Sequence, residues 1–532
     1  MKNLMGITSA LVVALSAVAS RGDDYAKDNG WWFRNFKDPT LSWDIYRDTF
    51  IGIPPTESAA ASLFDALFYT KICKTELAKT GNCYGMSLLS VMIRKRGGHM
   101  GYCMPVPQYS GDIAGDCSKP TGPSDPALRR AINVMHGHQV NLPTLEFILD
   151  VIAKHKNRDA SYAYDTFAAV LMQEGPALVS ITKELAPGKS AHTMVAYRAE
   201  DLGSSGRRIY VYDPFRSWAD SDSTVRDWYQ TNQNFIQING TSWSFPLRGW
   251  SCGVETWSGD PASGGNIVII PASVTGPHSR SPASLGGGII DQILNTILLS
   301  GGSAEIEQVT DAQGKRLFKP GTYEVDTDPA TGMRNMFPWT PSGQAGPQTG
   351  SNSTILFQLG SARGALTVRV KGSQSGYTLR SMGARNQVSV TARGGQGTDA
   401  ITLAHPGSSD ARIELANTRG TSEYDIEFIQ ATGPKEALHV LSSNRMRIPD
   451  GARVELAMTD QSRALTVSSP TANIQYDLEL RAVTGKETQS LNKTHVTQAA
   501  GTLQTVQPRS WADLQKTEVL GLVRPAMPRG GR

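Results

Sequence analysis

Between Ala272 and Gly302 the chain carries Thr275-Gly276-Pro277, Ser281-Pro282 and Gly286-Gly287-Gly288, and breakers at that density cannot all sit in one packed element. The stretch at 272–304 therefore reads as a linker. Inside it, Ile289 to Leu299 has the spacing of a short amphipathic helix that would dock on a neighbouring domain. The patterns on its two sides differ. Before it, apolar residues recur at helical spacing and then in strand-like runs, the order expected of an α+β domain over 20–271. After it, Ile355 to Leu359, Ala365 to Val370, Gln387 to Val390, Ala400 to Leu403 and Ala411 to Leu415 read as short strands separated by Gly/Ser turns. An all-β, sandwich-like accessory region over 305–486 follows from that alternation. A length of 532 residues allows two to four domains, and 39% apolar residues suffices to pack them.

The chemistry concentrates at Gly81-Asn82-Cys83-Tyr84-Gly85-Met86-Ser87. A helical pattern from Ser62 to Leu77 is stopped by Thr80-Gly81, and a second one runs from Met86 through Leu89, Met92 and Ile93 until Arg96-Gly97-Gly98 ends it. Cys83 therefore stands where a loop enters a helix. A thiol in that first turn feels the free N–H groups and positive end of the helix, which favours thiolate over thiol. Cys83 is the candidate nucleophile.

A nucleophilic thiol needs a base. Pro176 to Ile181 reads as a buried strand, and Ser190-Ala191-His192-Thr193-Met194-Val195-Ala196-Tyr197 as the next, with His192 heading an otherwise apolar run. Ile209-Tyr210-Val211-Tyr212-Asp213-Pro214 then ends a third strand on a carboxylate. Antiparallel pairing of the last two brings His192 and Asp213 to one end of a sheet, where the carboxylate can accept the imidazole Nδ1–H and fix the tautomer.

The order Cys83, His192, Asp213, the glycine and aromatic beside the cysteine, and a histidine opening an apolar strand resemble the papain-like cysteine peptidase superfamily. His192 and Asp213 follow the cysteine by 109 and 130 residues, shorter than the roughly 130–150 of papain itself. The Tyr-Asp-Pro ending is closer to the bacterial double-glycine peptidases, which use aspartate where papain uses asparagine. The resemblance implies a papain-like catalytic domain in which Cys83 attacks a carbonyl, His192 moves the proton and Asp213 orients His192. The substrate is then a protein or peptide, and no cofactor or metal is expected. In one respect the chain departs from the pattern. Papain-like enzymes carry a glutamine shortly before the nucleophile as oxyanion donor, and none stands between Ser62 and Cys83. The Cys83 backbone N–H and the Asn82 side chain are the substitutes the sequence offers. A transglutaminase-like acyltransferase uses the same residue set in the same order, and the missing glutamine and large β half also suit a catalytically silent adhesin or binding protein.

Met1 to Ala19 has one early lysine, an uncharged apolar core and Ala17-Val18-Ala19 as a cleavage site, the pattern of a secretory signal peptide. No later stretch is long and apolar enough to cross a bilayer, so a secreted or periplasmic protein without an integral span is expected. In an oxidising compartment, five cysteines leave one unpaired. Cys73, Cys103, Cys117 and Cys252 are read as structural and Cys83 as the spare. Cys103 with Cys117 is the favoured pair, because it closes a Pro- and Gly-rich loop.

Residues 20–60 hold Trp31, Trp32, Phe33, Phe36, Trp43, Tyr46 and Phe50, and form either an arm packed on the domain or a removable pro-segment. His136-Gly137-His138 lacks partners at zinc-site spacing and reads as a pair of surface or loop histidines. A net charge of +4 with no Lys/Arg stripe gives no reason to expect nucleic acid. In the accessory region, Arg412 to Leu415 and Tyr424-Asp425-Ile426-Glu427-Phe428 are echoed by Ala464 to Val467 and Tyr476-Asp477-Leu478-Glu479-Leu480 at a constant offset of 52 residues. That echo fits equivalent strand pairs in two small sandwiches, or two halves of one. Asp425 and Asp477 read as solvent-face charges rather than calcium ligands. The region would present the enzyme to a cell surface, wall or partner. Residues 487–532 are polar with little periodicity, and a loosely ordered tail is expected.

Overall fold

The computed structural model describes residues 25–57, 63–78, 80–111, 122–154, 156–183, 191–263, 265–275, 295–301, 303–318, 337–339, 354–358, 365–372, 374–382, 386–395, 397–404, 411–432, 437–459, 464–484, 487–508, 510–511, 514 and 524–525. The expected signal peptide and most of the expected linker lie outside these residues. The protein is a mixed α+β chain with a β-rich second part.

In the first part, helices α1 (Tyr25–Asn29), α2 (Trp43–Thr49), α3 (Leu63–Phe68), α4 (Cys83–Arg96), α5 (Pro126–Gly137), α6 (Leu142–Ala153) and α7 (Ala160–Glu174) precede the sheet, and α8 (Ser223–Gln230) interrupts it. A π-helical segment, Tyr69–Leu77, continues α3. Local chemistry sets the ends. Asn141 caps α6 by accepting from the Thr144 N–H at 2.9 Å, and Asp159 caps α7 by accepting from Tyr162 at 3.1 Å. Helix α4 closes on Gly97 in the left-handed conformation, with Arg94, Lys95 and Arg96 in its last turn to complement the helix dipole.

Seven antiparallel strands follow: β1 (Ala177–Thr182), β2 (Ala191–Asp201), β3 (Arg207–Tyr212), β4 (Phe235–Asn239), β5 (Ser242–Arg248), β6 (Val254–Gly259) and β7 (Asn266–Ile270), in the order β6-β5-β4-β3-β2-β1-β7. In this sheet, strands β1, β2 and β7 are buried on both faces. Leu178, Val195 and Ile270 pack with Met86 and Leu89 of α4, while Val179, Met194 and Ile269 pack with Phe167 of α7. That double burial explains why these strands read as continuous apolar runs. Trp31, Phe33 and Phe36 are fully buried in the α4 core, and the Trp31 indole donates to the Met86 carbonyl at 2.9 Å. The aromatic arm is thus built into the domain.

The second part is two nine-stranded sheets around one core. One sheet runs β10 (Arg316–Phe318), β9 (Glu305–Thr310), β13 (Leu366–Lys371), β16 (Thr398–Ala404), β17 (Arg412–Ala416), β20 (Arg453–Thr459), β21 (Ala464–Ser469), β24 (Thr502–Val506), β25 (Arg524–Pro525). The other runs β11 (Phe337–Trp339), β12 (Thr354–Gln358), β8 (Asn295–Ser300), β14 (Tyr377–Met382), β15 (Asn386–Arg393), β18 (Ser422–Thr432), β19 (Ala437–Ile448), β22 (Ile474–Thr484), β23 (Glu487–Gln498). From β13 onward the chain repeats one unit three times, with outer strands in the first sheet and inner strands in the second. The echoed segments lie one strand apart in the same two sheets, β17 and β21 on either side of β20 and β18 and β22 on either side of β19, and Tyr377 marks an earlier copy of the buried Tyr424 and Tyr476.

Three expectations are corrected here. Residues 295–299 form strand β8 instead of the end of an amphipathic helix, and the β-rich part starts at Asn295; residues 289–294 lie outside the described residues. Ile297 and Leu299 of β8 face the sandwich core, while Leu298, with Met382 of β14, joins a cluster containing Trp43, Tyr46, Tyr69 and Leu145 of the first part. The expected tail supplies strands β23, β24 and β25 of the two sheets. His136 and His138 are not at the surface: both are 1% exposed, and burial pulls His136 down to about 4. No helix among the described residues is long and apolar enough to cross a membrane.

Candidate active site

Cys83 is the first residue of α4, and its side chain is fully buried where the helix N-terminus meets the start of β2. The Thr193 N–H donates to its Sγ at 3.4 Å, and the Ser87 hydroxyl one turn on donates to the Thr193 carbonyl at 3.3 Å, fixing helix to strand. Asn82 is the N-cap residue, but its side chain does not cap the helix. The opening N–H groups of α4 therefore receive no acceptor from it.

His192, second in β2, and Asp213, directly after β3, are both fully buried, with Nε2 2.7 Å from Asp213 Oδ1. The nitrogen differs from the Nδ1 expected from sequence, and register supplies the reason. Val195 pairs with Tyr212, so continuing the ladder sets Asp213 opposite Met194, a diagonal step from His192 that the far ring nitrogen spans. Nε2 is taken by Asp213, so Nδ1 is the nitrogen left for the sulfur of Cys83. Burial alone would depress the imidazole, but the charges of Asp213 and Cys83 and their hydrogen bonds outweigh it and raise His192 to about 9. Burial opposes the charged form of Asp213 as well, and the His192 cation, Arg216 and the Phe215 N–H together hold the carboxyl below its ordinary range. That N–H donates to Oδ1 at 2.9 Å, and the Asp213 N–H donates to the Tyr229 hydroxyl at 3.2 Å.

Aromatic rings wall the site. Phe215 lies against the His192 ring at 4.8 Å between centroids, and Trp250 meets Phe215 edge-on at 4.9 Å. The arm runs between the loops that carry the nucleophile and the carboxylate: Asn35 N–H donates to Pro214 O at 2.8 Å, and Asn82 N–H donates to Phe36 O at 2.9 Å.

No family model, curated relative or solved structure matches the chain.

Of the four residues singled out from sequence, the structure brings Cys83, His192 and Asp213 together. Asn82 is beside them, but its side chain is turned away. Its Nδ2 lies 3.4 Å from Asp38 Oδ2, a carboxylate also held by Arg129 at 2.6 Å and Asn133 at 2.7 Å. The anion draws the amide outward, so Asn82 is not the free oxyanion donor expected. The cysteine assignment also changes. Cys73, Cys83 and Cys103 carry free thiols, so Cys83 is not the one spare and the Cys103–Cys117 pairing does not form. Exposed Cys103 has the Tyr109 hydroxyl 3.0 Å from its sulfur. Cys252 is disulfide-bonded, and Cys117 lies outside the described residues. Among the described residues no cluster of metal-ligating side chains is present. Asp425 and Asp477 each bind an arginine, Arg393 at 2.7 Å and Arg445 at 2.7 Å, and accept a backbone N–H from the strand beyond.

Proposed function

We propose that the protein is an exported, papain-like thiol hydrolase that cleaves amide bonds in proteins or peptides. The observation that carries this reading is the pairing of His192 Nε2 with Asp213 Oδ1 at 2.7 Å while Nδ1 is left beside a helix-terminal cysteine. The Asp213 carboxylate favours the charged form of the imidazole beside the sulfur. The Cys83 sulfur attacks the carbonyl carbon, forming an S–C bond as the carbonyl π-electrons move onto oxygen. Collapse of that adduct breaks the C–N bond, and His192 gives its proton to the departing amine. Water then attacks the thioester, with neutral His192 taking its proton, and releases the acid and the thiol. Asp213 holds the ring in orientation and stabilises its charged form throughout.

The Ala17-Val18-Ala19 leader supports export, and the large sandwich suits attachment to a cell surface, wall or partner. Incubation of the mature protein with fluorescently quenched casein, beside Cys83→Ala, tests the reading. New N-termini produced only by the wild type support it. No cleavage, or acyl transfer to added amines without hydrolysis, overturns it.

A further inference from the structure

We infer that Asn35, on the N-terminal arm, is the side-chain donor that holds the oxyanion, an assignment that rests on the hydrolase reading above. Asn35 is fully buried, and among the described residues neither its Nδ2 nor its Oδ1 has a hydrogen-bond partner. A primary amide kept out of water with neither end satisfied is rare in a folded protein, and such a group calls for a role beyond packing.

Its position supplies one. The backbone N–H of Asn35 is tied to Pro214, next to Asp213, and the following residue, Phe36, accepts from Asn82, next to Cys83. The side chain is pressed against Gly81. A Cβ at that glycine would collide with the Asn35 amide nitrogen, lie 2.9 Å from its oxygen and lie 2.6 Å from Trp250 Cζ2. Gly81 is the residue that leaves room for this amide beside the nucleophile loop. The amide therefore adjoins the opening turn of α4, whose first N–H groups Asn82 does not cap. A 14-residue helix directs its positive end at that spot. An oxygen turning negative in the tetrahedral adduct of Cys83 would accept from the Cys83 N–H and from Asn35 Nδ2. This places the missing glutamine's role on a residue far upstream in sequence, on an arm locked between the two catalytic loops.

Two reactions of the same sulfur separate this role from the reading it rests on. Alkylation of Cys83 by iodoacetamide is a displacement at a CH₂ group with no oxyanion, whereas acylation by 4-nitrophenyl acetate passes through one. The variants are Asn35→Ala and, to conserve volume, Asn35→Asp, which places a carboxylate where negative charge must form. Melting curves run alongside, and a Cys83→Ala blank is subtracted from the nitrophenolate burst. The expected result is alkylation within twofold of wild type and acylation slowed by about 10²–10³-fold in both variants. Acylation at the wild-type rate overturns the role of Asn35, and so does an equal loss of both reactions, which would mark a structural residue. Wild-type Cys83 that alkylates no faster than a free thiol overturns the hydrolase reading itself, and this inference with it.

Discussion

His192 Nε2 and Asp213 Oδ1 meet at 2.7 Å, both side chains fully buried, across neighbouring strands of the sheet. Removing the carboxylate charge while keeping its shape separates orientation from packing. Asp213→Asn is expected to lower kcat for peptide cleavage by about 10²–10⁴-fold with a fold intact by circular dichroism.

The same pair sets a pH window. His192 is raised from 6.5 to about 9, so the stability it lends is fully present below pH 6.5 and is lost as pH climbs through about 9. Asp213 is lowered from 3.8, so its contribution is present above pH 3.8 and is lost as pH falls through its lower folded value. Melting temperature should be highest between these limits and fall on the alkaline side toward pH 9. In Asp213→Asn the loss of the anion leaves burial, which lowers the imidazole, to dominate, so the alkaline fall should shrink or vanish and stability should fall instead as pH drops through 6.5.

Gly85 brings α4 against α5, where a Cβ would collide with the Ile132 carbonyl and lie 2.8 Å from the His136 nitrogen. Both obstacles are helix backbone and cannot yield. Gly85→Ala should destabilise the first part by about 1–3 kcal/mol, measured by urea unfolding.

Trp31 has 0% exposure, and its indole donates to Met86 O on the nucleophile's helix. Trp31→Ala should cost about 3–5 kcal/mol. N-terminal sequencing of the folded protein should find Trp31 retained, because cleavage beyond it would take Phe33 and Phe36 out of the core as well.

Asp425 and Asp477 use one oxygen on arginine and the other on the N–H of Arg445 and His495, residues at φ 52 and 57 that sit at bulges in their strands. Asp477→Ala should therefore destabilise by about 1 kcal/mol, while chelator and added calcium leave the wild-type melting temperature unchanged.

The helix that opens on Cys83 was legible as far as Arg96 because Gly81 and Gly97 bracket it. Strands β1, β2 and β3, of which β2 carries His192 and β3 leads into Asp213, were legible because their apolar runs are short and turn-bounded. Strand β8 was not: its Ile-Leu-Leu run is buried on both faces, Leu298 against the first part and its neighbours against the sandwich, and a strand without alternation cannot be told from helix by period. Strand β23 failed for the opposite reason. It lies at the sheet edge, where polar residues face water, and only partly buried Leu491 and Val496 touch the core. Helix α5 was not read from the sequence, although Asp125 caps it and Pro126 opens it. Asn35 had no local signal at all, since its significance is that it lacks a partner in space.

The central claim is that His192 activates the sulfur of Cys83, and peptide-resolved iodoacetamide labelling at pH 7 reads this directly, with exposed Cys103 as an internal reference in the same molecule. The account predicts that Cys83, though buried, is alkylated faster than a free thiol in the wild type and that His192→Ala abolishes this advantage. Labelling of Cys83 that survives His192→Ala undiminished, or that never exceeds the rate of a free thiol, would contradict it.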